Sequence, residues 1–135
     1  MDMFSRAKRS EVMSRIRSKH TAPEVIVRKI VHRMGFRYRL HVRHLPGKPD
    51  LVFRRMKKII EVRGCFWHQH VGCVDSHLPK SRTDYWTPKL NRNVERDKTN
   101  NKELKKLGWQ VLIVWDCELR EARTVTRRLL KFLKD

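Results

Sequence analysis

The chain has no apolar run approaching the roughly 20 residues needed to cross a bilayer. Its opening stretch, MDMFSRAKRS, lacks the apolar segment of a secretory signal peptide. These absences set the expectation of a cytoplasmic protein with no membrane association. Internal repeats and low-complexity linkers are also missing, which at 135 residues points to one globular unit long enough to bury a core. Acidic residues are scarce: 14 Asp and Glu face 33 Lys and Arg, a formal net charge of +19. A surplus of that size repels itself unless a polyanion neutralises it, so nucleic acid is the first partner to consider. A ribosome-associated protein or a membrane-surface binder would share this charge, which separates neither DNA from RNA nor binding from catalysis. Cysteine is sparse, with three residues. A reducing compartment disfavours disulfides and leaves buried thiols, a reactive cysteine or metal ligands.

What is present is an ordered series of helix and strand signals. A short helix is expected over about 10–18, with Met13 and Ile16 on one face. Thr21-Ala-Pro-Glu24 reads as a capping box with proline in the first turn of a second helix, which stops at Gly35. Val27, Ile30, Val31 and Met34 form its apolar stripe. From Phe36 to Leu40 the pattern alternates as a half-buried strand does. Two further β-like runs, 50–53 and 58–62, flank a basic hairpin at 54–57. The stretch 64–83 reads as a loop. A helix is expected over roughly 92–107, closed by Gly108. Trp109 to Trp115 is nearly all apolar and suits a central strand covered on both faces. The segment 124–133 is an amphipathic helix. The order α-α-β-β-β-α-β-α predicts an α/β fold, a mixed sheet with helices on its faces.

Four constellations carry chemistry. In Cys65-x4-His70-x2-Cys73, with Cys117 far downstream, soft thiolates and imidazole stand at spacings that suit tetrahedral zinc. Such a site would pin a loop with little apolar content to the end of a strand. His68 and His77 compete with His70 for the fourth position, and scattered buried thiols are the bland alternative. Pro49-Asp50 opens one strand, and the next ends Glu61-Val62-Arg63. Acids one strand apart beside a cation are a way to hold Mg²⁺ at a phosphate, although Pro-Asp is also simple turn chemistry. Phe66 and Trp67 are adjacent large aromatics in a polar loop. Exposed on a basic protein they can stack on bases or wedge between them; otherwise they pack beneath the loop. His68 beside them carries an imidazole that could act as a general base. In Asn93-Val-Glu-Arg-Asp97 the acids either complement a helix dipole or, for Asp97, support a catalytic histidine.

The runs LPGKPD, GCFWH, SRTDYW, NVERD, LGW and VLIVWDCEL, in that order, resemble the very short patch repair (Vsr) endonucleases, which nick DNA at mismatches. The likeness spans nearly the whole chain, since SEVMSRIRSKHTAPE is similar to the family's N-terminal arm and first helix. It implies a restriction-endonuclease-like (PD-(D/E)xK) fold with one structural zinc: residues 1–20 would form a DNA-binding arm and 21–135 the endonuclease domain. It implies a substrate, double-stranded DNA with a T·G mismatch left by 5-methylcytosine deamination, and a Mg²⁺-dependent cut 5′ to the T. Asp50 would bind Mg²⁺ directly, with the backbone carbonyl of Val62. His68 would activate the attacking water. Glu24 and Asp97 would act indirectly, Glu24 through water on the metal and Asp97 through His68. Zinc would be held by Cys65, His70, Cys73 and Cys117. Phe66, Trp67 and Trp86 would enter the DNA stack from the major groove, and Met13 would press from the minor groove. A monomer suffices for a nick, with mismatch-repair proteins as further partners.

The chain departs from the family just before GCFWH, where Glu61 and Arg63 replace an apolar residue and a histidine. Arg63 can meet a phosphate or stabilise charge but cannot exchange a proton near neutral pH. Glu61 either adds a metal ligand or faces away. Two rivals therefore stand beside the mismatch enzyme: a nuclease of the same fold with another DNA target, and a zinc-stabilised binding module without catalysis.

Overall fold

A computed structural model describes residues 21–135. The expected helix over 10–18, Met13 and the arm lie outside the described residues. Helix α1 (Ala22–Arg33) starts where the capping signal places it. Thr21 Oγ1 accepts the Glu24 N–H at 3.4 Å, Pro23 occupies the first turn, and Gly35 follows the end at φ +94°, a conformation that favours glycine. Its stripe buries Val27 and Val31 completely.

Strands β1 (Arg39–Leu40), β2 (Leu51–Phe53), β3 (Lys58–Arg63) and β4 (Gln110–Trp115) form one sheet in that spatial order. The first three are antiparallel, whereas β3 and β4 run parallel. A parallel pair needs a long crossover. Helix α2 (Thr83–Lys106) supplies it on one face, and α3 (Ala122–Lys134) follows β4 and packs with α1 on the other. Val27, Val31, Leu51, Phe53, Ile60, Val114, Val125 and Leu129 form the core between the sheet and the α1–α3 layer. A smaller cluster of Val42, Val52, Ile59, Leu104 and Trp109 lies under α2. No helix among the described residues is long and apolar enough to cross a membrane.

Three expectations are corrected. Helix α2 begins at Thr83, not near Arg92, so SRTDYW is largely helical. Its start carries no conventional signal: Arg82 at the cap is left-handed (φ +58°), offers no side-chain cap, and Pro88 lies inside the helix. The alternation over 36–40 yields only a two-residue strand, because Phe36 and Tyr38 pack against the core from irregular chain. The apolar run 109–115 is not central. Among the described residues β4 is an edge strand, and its hydrophobicity answers to helices on both faces: Leu112 and Val114 contact one cluster, Trp109 and Val111 the other.

Candidate functional site

The parallel register pairs Arg63 with Trp115. Two residues beyond each strand end stand Cys65 and Cys117, brought together by that register. Between them the loop folds back through His70 N–H to the Cys65 carbonyl (2.9 Å) and His68 N–H to the Gly64 carbonyl (3.1 Å). Ser76 Oγ donates to the His70 and Cys73 carbonyls at 2.9 and 2.7 Å. The Cys65, His70, Cys73 and Cys117 donor atoms all lie within 4.8 Å of one another. His70 Nδ1 is 3.5 Å from Cys65 Sγ and 3.4 Å from Cys117 Sγ. Zinc bonds to nitrogen and sulfur give tetrahedral edges of about 3.5–3.8 Å, which the two His70–cysteine distances match. His77 is not part of the cluster. Burial first, then the Asp116 carboxylate that accepts the thiol at 2.8 Å, pushes the Cys65 thiol far up. Burial also raises the Cys117 thiol. A cation in place of those protons would relieve both effects. The His70 ring stacks on Trp115, centroids 4.1 Å apart at 7°.

A second cluster forms where α1, the β1–β2 connection and the start of β2 converge. Glu24, only 2% exposed, His41 and Asp50 bring three donor atoms within 4.8 Å. His41 Nε2 lies 2.9 Å from Glu24 Oε1, and Arg28 donates to Glu24 Oε2 at 3.2 Å. Asp50 Oδ2 accepts the Val62 N–H at 2.8 Å. In a strand the N–H and C=O of one residue point to the same side, so the Val62 carbonyl faces the Asp50 side of β3 as well. Burial, opposed by the Val62 hydrogen bond and reinforced by the charges of Glu24 and Glu61, pushes Asp50 up to about 7. Glu61 follows from the register: Leu51 pairs with Ile60, so Asp50 and Glu61 are cross-strand neighbours on one face. Arg63, two residues on and hence on the same face, donates to Glu61 Oε2 at 2.7 Å and lies over the Trp115 ring. Glu61 does not face away, and Arg63 is engaged by Glu61.

The third group links the loop to α2. His68 Nδ1 donates to Asp97 Oδ2 at 2.6 Å, and the His68 side chain keeps 33% of its surface exposed. The ring is therefore oriented at one nitrogen and accessible at its other edge. One helical turn earlier Asn93, 6% exposed, donates to the Trp67 carbonyl at 3.1 Å and accepts from Arg96. Phe66, Trp67 and Trp86 are half-buried and touch edge-to-face or tilted, with centroids 5.1 to 5.8 Å apart. They form one aromatic block, neither two free wedges nor core. Tyr85 extends it at 4.9 Å from Trp86.

His41 and Asn93 escaped the sequence reading. Asn93 had a signal: it stands four residues before Asp97, on the same helical face. His41 had none, because only the chain reversal between β1 and β2 brings it to Glu24.

The chain is similar to known DNA-nicking enzymes. The family described as DNA mismatch endonuclease Vsr matches residues 1–74. A type II nicking enzyme of Neisseria meningitidis is 44% identical over 134 residues, 99% of this chain and 95% of the relative. A type II nicking enzyme of Xanthomonas oryzae is 45% identical over 98% of this chain and 96% of its own. The DNA mismatch endonuclease Vsr of Escherichia coli is 38% identical over 96% of this chain and 82% of its own. Among solved structures, a homing endonuclease catalytic domain superposes with a TM-score of 0.54 at 24% identity, covering 84% of this chain and 94% of that one. That likeness concerns the fold, which is restriction-endonuclease-like.

Proposed function

The chain belongs to the Vsr family of DNA mismatch endonucleases, and from that premise we propose that it nicks one strand of duplex DNA 5′ to the T of a T·G mismatch by Mg²⁺-assisted phosphodiester hydrolysis. The observation that carries this reading is the 2.6 Å bond between Asp97 on α2 and His68, which lies on the loop that follows β3, the strand whose Val62 N–H bonds Asp50.

In this reading Asp50 and the Val62 carbonyl hold the cation, with Glu24 beside them. Magnesium bound there supplies Lewis-acid stabilisation of the charge that develops on the scissile phosphate. Asp97 fixes the tautomer of His68 by accepting its Nδ1–H, which leaves Nε2 to take a proton from the attacking water. The water oxygen bonds to phosphorus as the bond to the leaving oxygen breaks. Arg63, held at Glu61, adds fixed positive charge to an otherwise acidic pocket. Cys65, His70, Cys73 and Cys117 would hold zinc, and with four protein donors such a site would serve structure and not catalysis.

The aromatic block supplies selection. A T·G wobble pair stacks poorly and deforms cheaply, so inserting Phe66, Trp67 and Trp86 costs least there. One site makes one nick, so the working form is a monomer in the bacterial cytoplasm, with mismatch-repair proteins downstream.

The test uses duplexes identical except for T·G or C·G at one position, incubated with Mg²⁺ and scored for a single-strand nick. A nick confined to the T·G duplex is the expected result. Equal cutting of both duplexes sinks the mismatch reading in favour of another DNA target. Binding without cutting favours the catalytically inert module.

A further inference from the structure

The mechanism above leaves His41 without a task, yet its ring is set into the acidic pocket. Nε2 lies 2.9 Å from Glu24 Oε1 and 4.0 Å from Asp50 Oδ1, and the side chain is only 9% exposed. The backbone is committed to this arrangement. His41 sits at φ +47°, a left-handed region that few non-glycine residues adopt, although Asn, Asp and His do so more often than most, and its N–H donates to the Asp50 carbonyl at 3.1 Å. Such a strained conformation persists where its surroundings over-determine it.

We propose that His41 is a nitrogen ligand of the divalent cation held at Asp50, an inference that rests on the metal reading given above. An octahedral ion with bonds of about 2.1 Å sets adjacent ligands about 3.0 Å apart and opposite ligands about 4.2 Å apart. The Nε2 separation from Asp50, 4.0 Å, matches an opposite pair, and that from Glu24, 2.9 Å, matches an adjacent pair if Glu24 binds the ion directly instead of through water. A hydrogen bond that served only to fix Glu24 would not require Nε2 to reach toward Asp50 as well. An imidazole donor also changes the ion the site prefers. Magnesium favours an all-oxygen shell, whereas manganese and its heavier neighbours accept nitrogen. The pocket is therefore a mixed nitrogen and oxygen site that binds Mn²⁺ more tightly than Mg²⁺.

Mn²⁺ serves as the probe, titrated into the zinc-loaded full chain without DNA. Pulsed electron paramagnetic resonance reads nitrogen coupling to the bound ion, in protein carrying either ¹⁴N- or ¹⁵N-histidine. The expected spectrum shows coupling that changes with the isotope, survives in His68→Asn and vanishes in His41→Asn. Asparagine tolerates the left-handed backbone, so His41→Asn retains its fold, and its Mn²⁺ affinity falls roughly tenfold or more. Tight Mn²⁺ binding by the natural chain with no isotope-sensitive coupling overturns the ligand assignment while leaving the metal reading standing. That outcome needs no variant to fold. Equal Mn²⁺ affinity in Asp50→Asn and the natural chain fails the underlying metal reading, and the ligand assignment with it.

Discussion

Asp97 and Asn93 stand one turn apart on α2 and hold two consecutive residues of the 64–73 loop, Asp97 through the His68 ring and Asn93 through the Trp67 carbonyl. One helical face thus sets the candidate base and the neighbouring aromatic in a single register. Residues placed on a rigid helix hold a loop more closely than the loop holds itself.

Asp97→Asn separates orientation from folding. The amide keeps the volume but no longer compels a proton at His68 Nδ1. The expected loss is about 10²–10⁴ in kcat, with duplex affinity and melting temperature nearly unchanged. Single-turnover nicking at saturating enzyme measures it, and a change of less than about threefold would remove His68 from the role of base.

Cys117→Ala tests the staple. Cys117 is the candidate ligand contributed from beyond β4, so its loss should detach the 65–73 loop from the sheet. Zinc content falls, and stability drops by about 3 kcal/mol or more. Elemental analysis and thermal melting give both readouts. An Asp50→Ala control retains zinc and the fold while losing nicking. A Cys117→Ala protein with full zinc and an unchanged melting curve would refute the four-donor assignment.

Asp50 links stability to pH in the metal-free protein. Its folded value, about 7, is raised above the ordinary 3.8, so folding takes up a proton between those values and stability falls as pH rises through that window. Above it the ionised carboxylate sits uncompensated beside Glu24 and Glu61. Asp50→Asn keeps an acceptor for the Val62 N–H and removes that charge. It should stabilise the metal-free protein by roughly 2 kcal/mol at pH 8, discounted for partial exposure, and by almost nothing near pH 4. Denaturant unfolding at the two pH values in chelator decides the matter. A gain independent of pH would mean that charge is not its cause.

Trp67→Ala bears on selection. Each stacked aromatic contributes about 1–3 kcal/mol to nucleic-acid binding. The variant should lose roughly tenfold or more in the ratio of T·G to C·G nicking while keeping its zinc. Competition between the two duplexes in one tube measures that ratio directly, and an unchanged ratio would confine Trp67 to packing.

Much of the candidate site was legible because it is local. Cys65, His70 and Cys73 share one loop, and His68 sits between them, so spacing alone announces a metal-binding loop. The capped start of α1 was equally readable, since Thr21, Pro23 and Glu24 act within one turn. The start of α2 was not, because a left-handed Arg82 and an internal Pro88 imitate a loop. Trp109 to Trp115 read as a central strand because burial by helices on two faces leaves the same apolar pattern as pairing on two edges.

By itself the sequence determined the excess of basic charge, the candidate thiol and imidazole donors of the loop, the α1 cap and the membership carried by its motifs. Tertiary structure decided the relations between strands. The β3–β4 register set Cys117 beside Cys65, the β2–β3 register set Glu61 beside Asp50, and the β1–β2 reversal carried His41 to Glu24. The division has a physical cause. Spacing along the chain constrains what one turn or one loop can bring together, whereas contacts between strands depend on which hydrophobic faces bury each other, a property of the whole core and of no single segment.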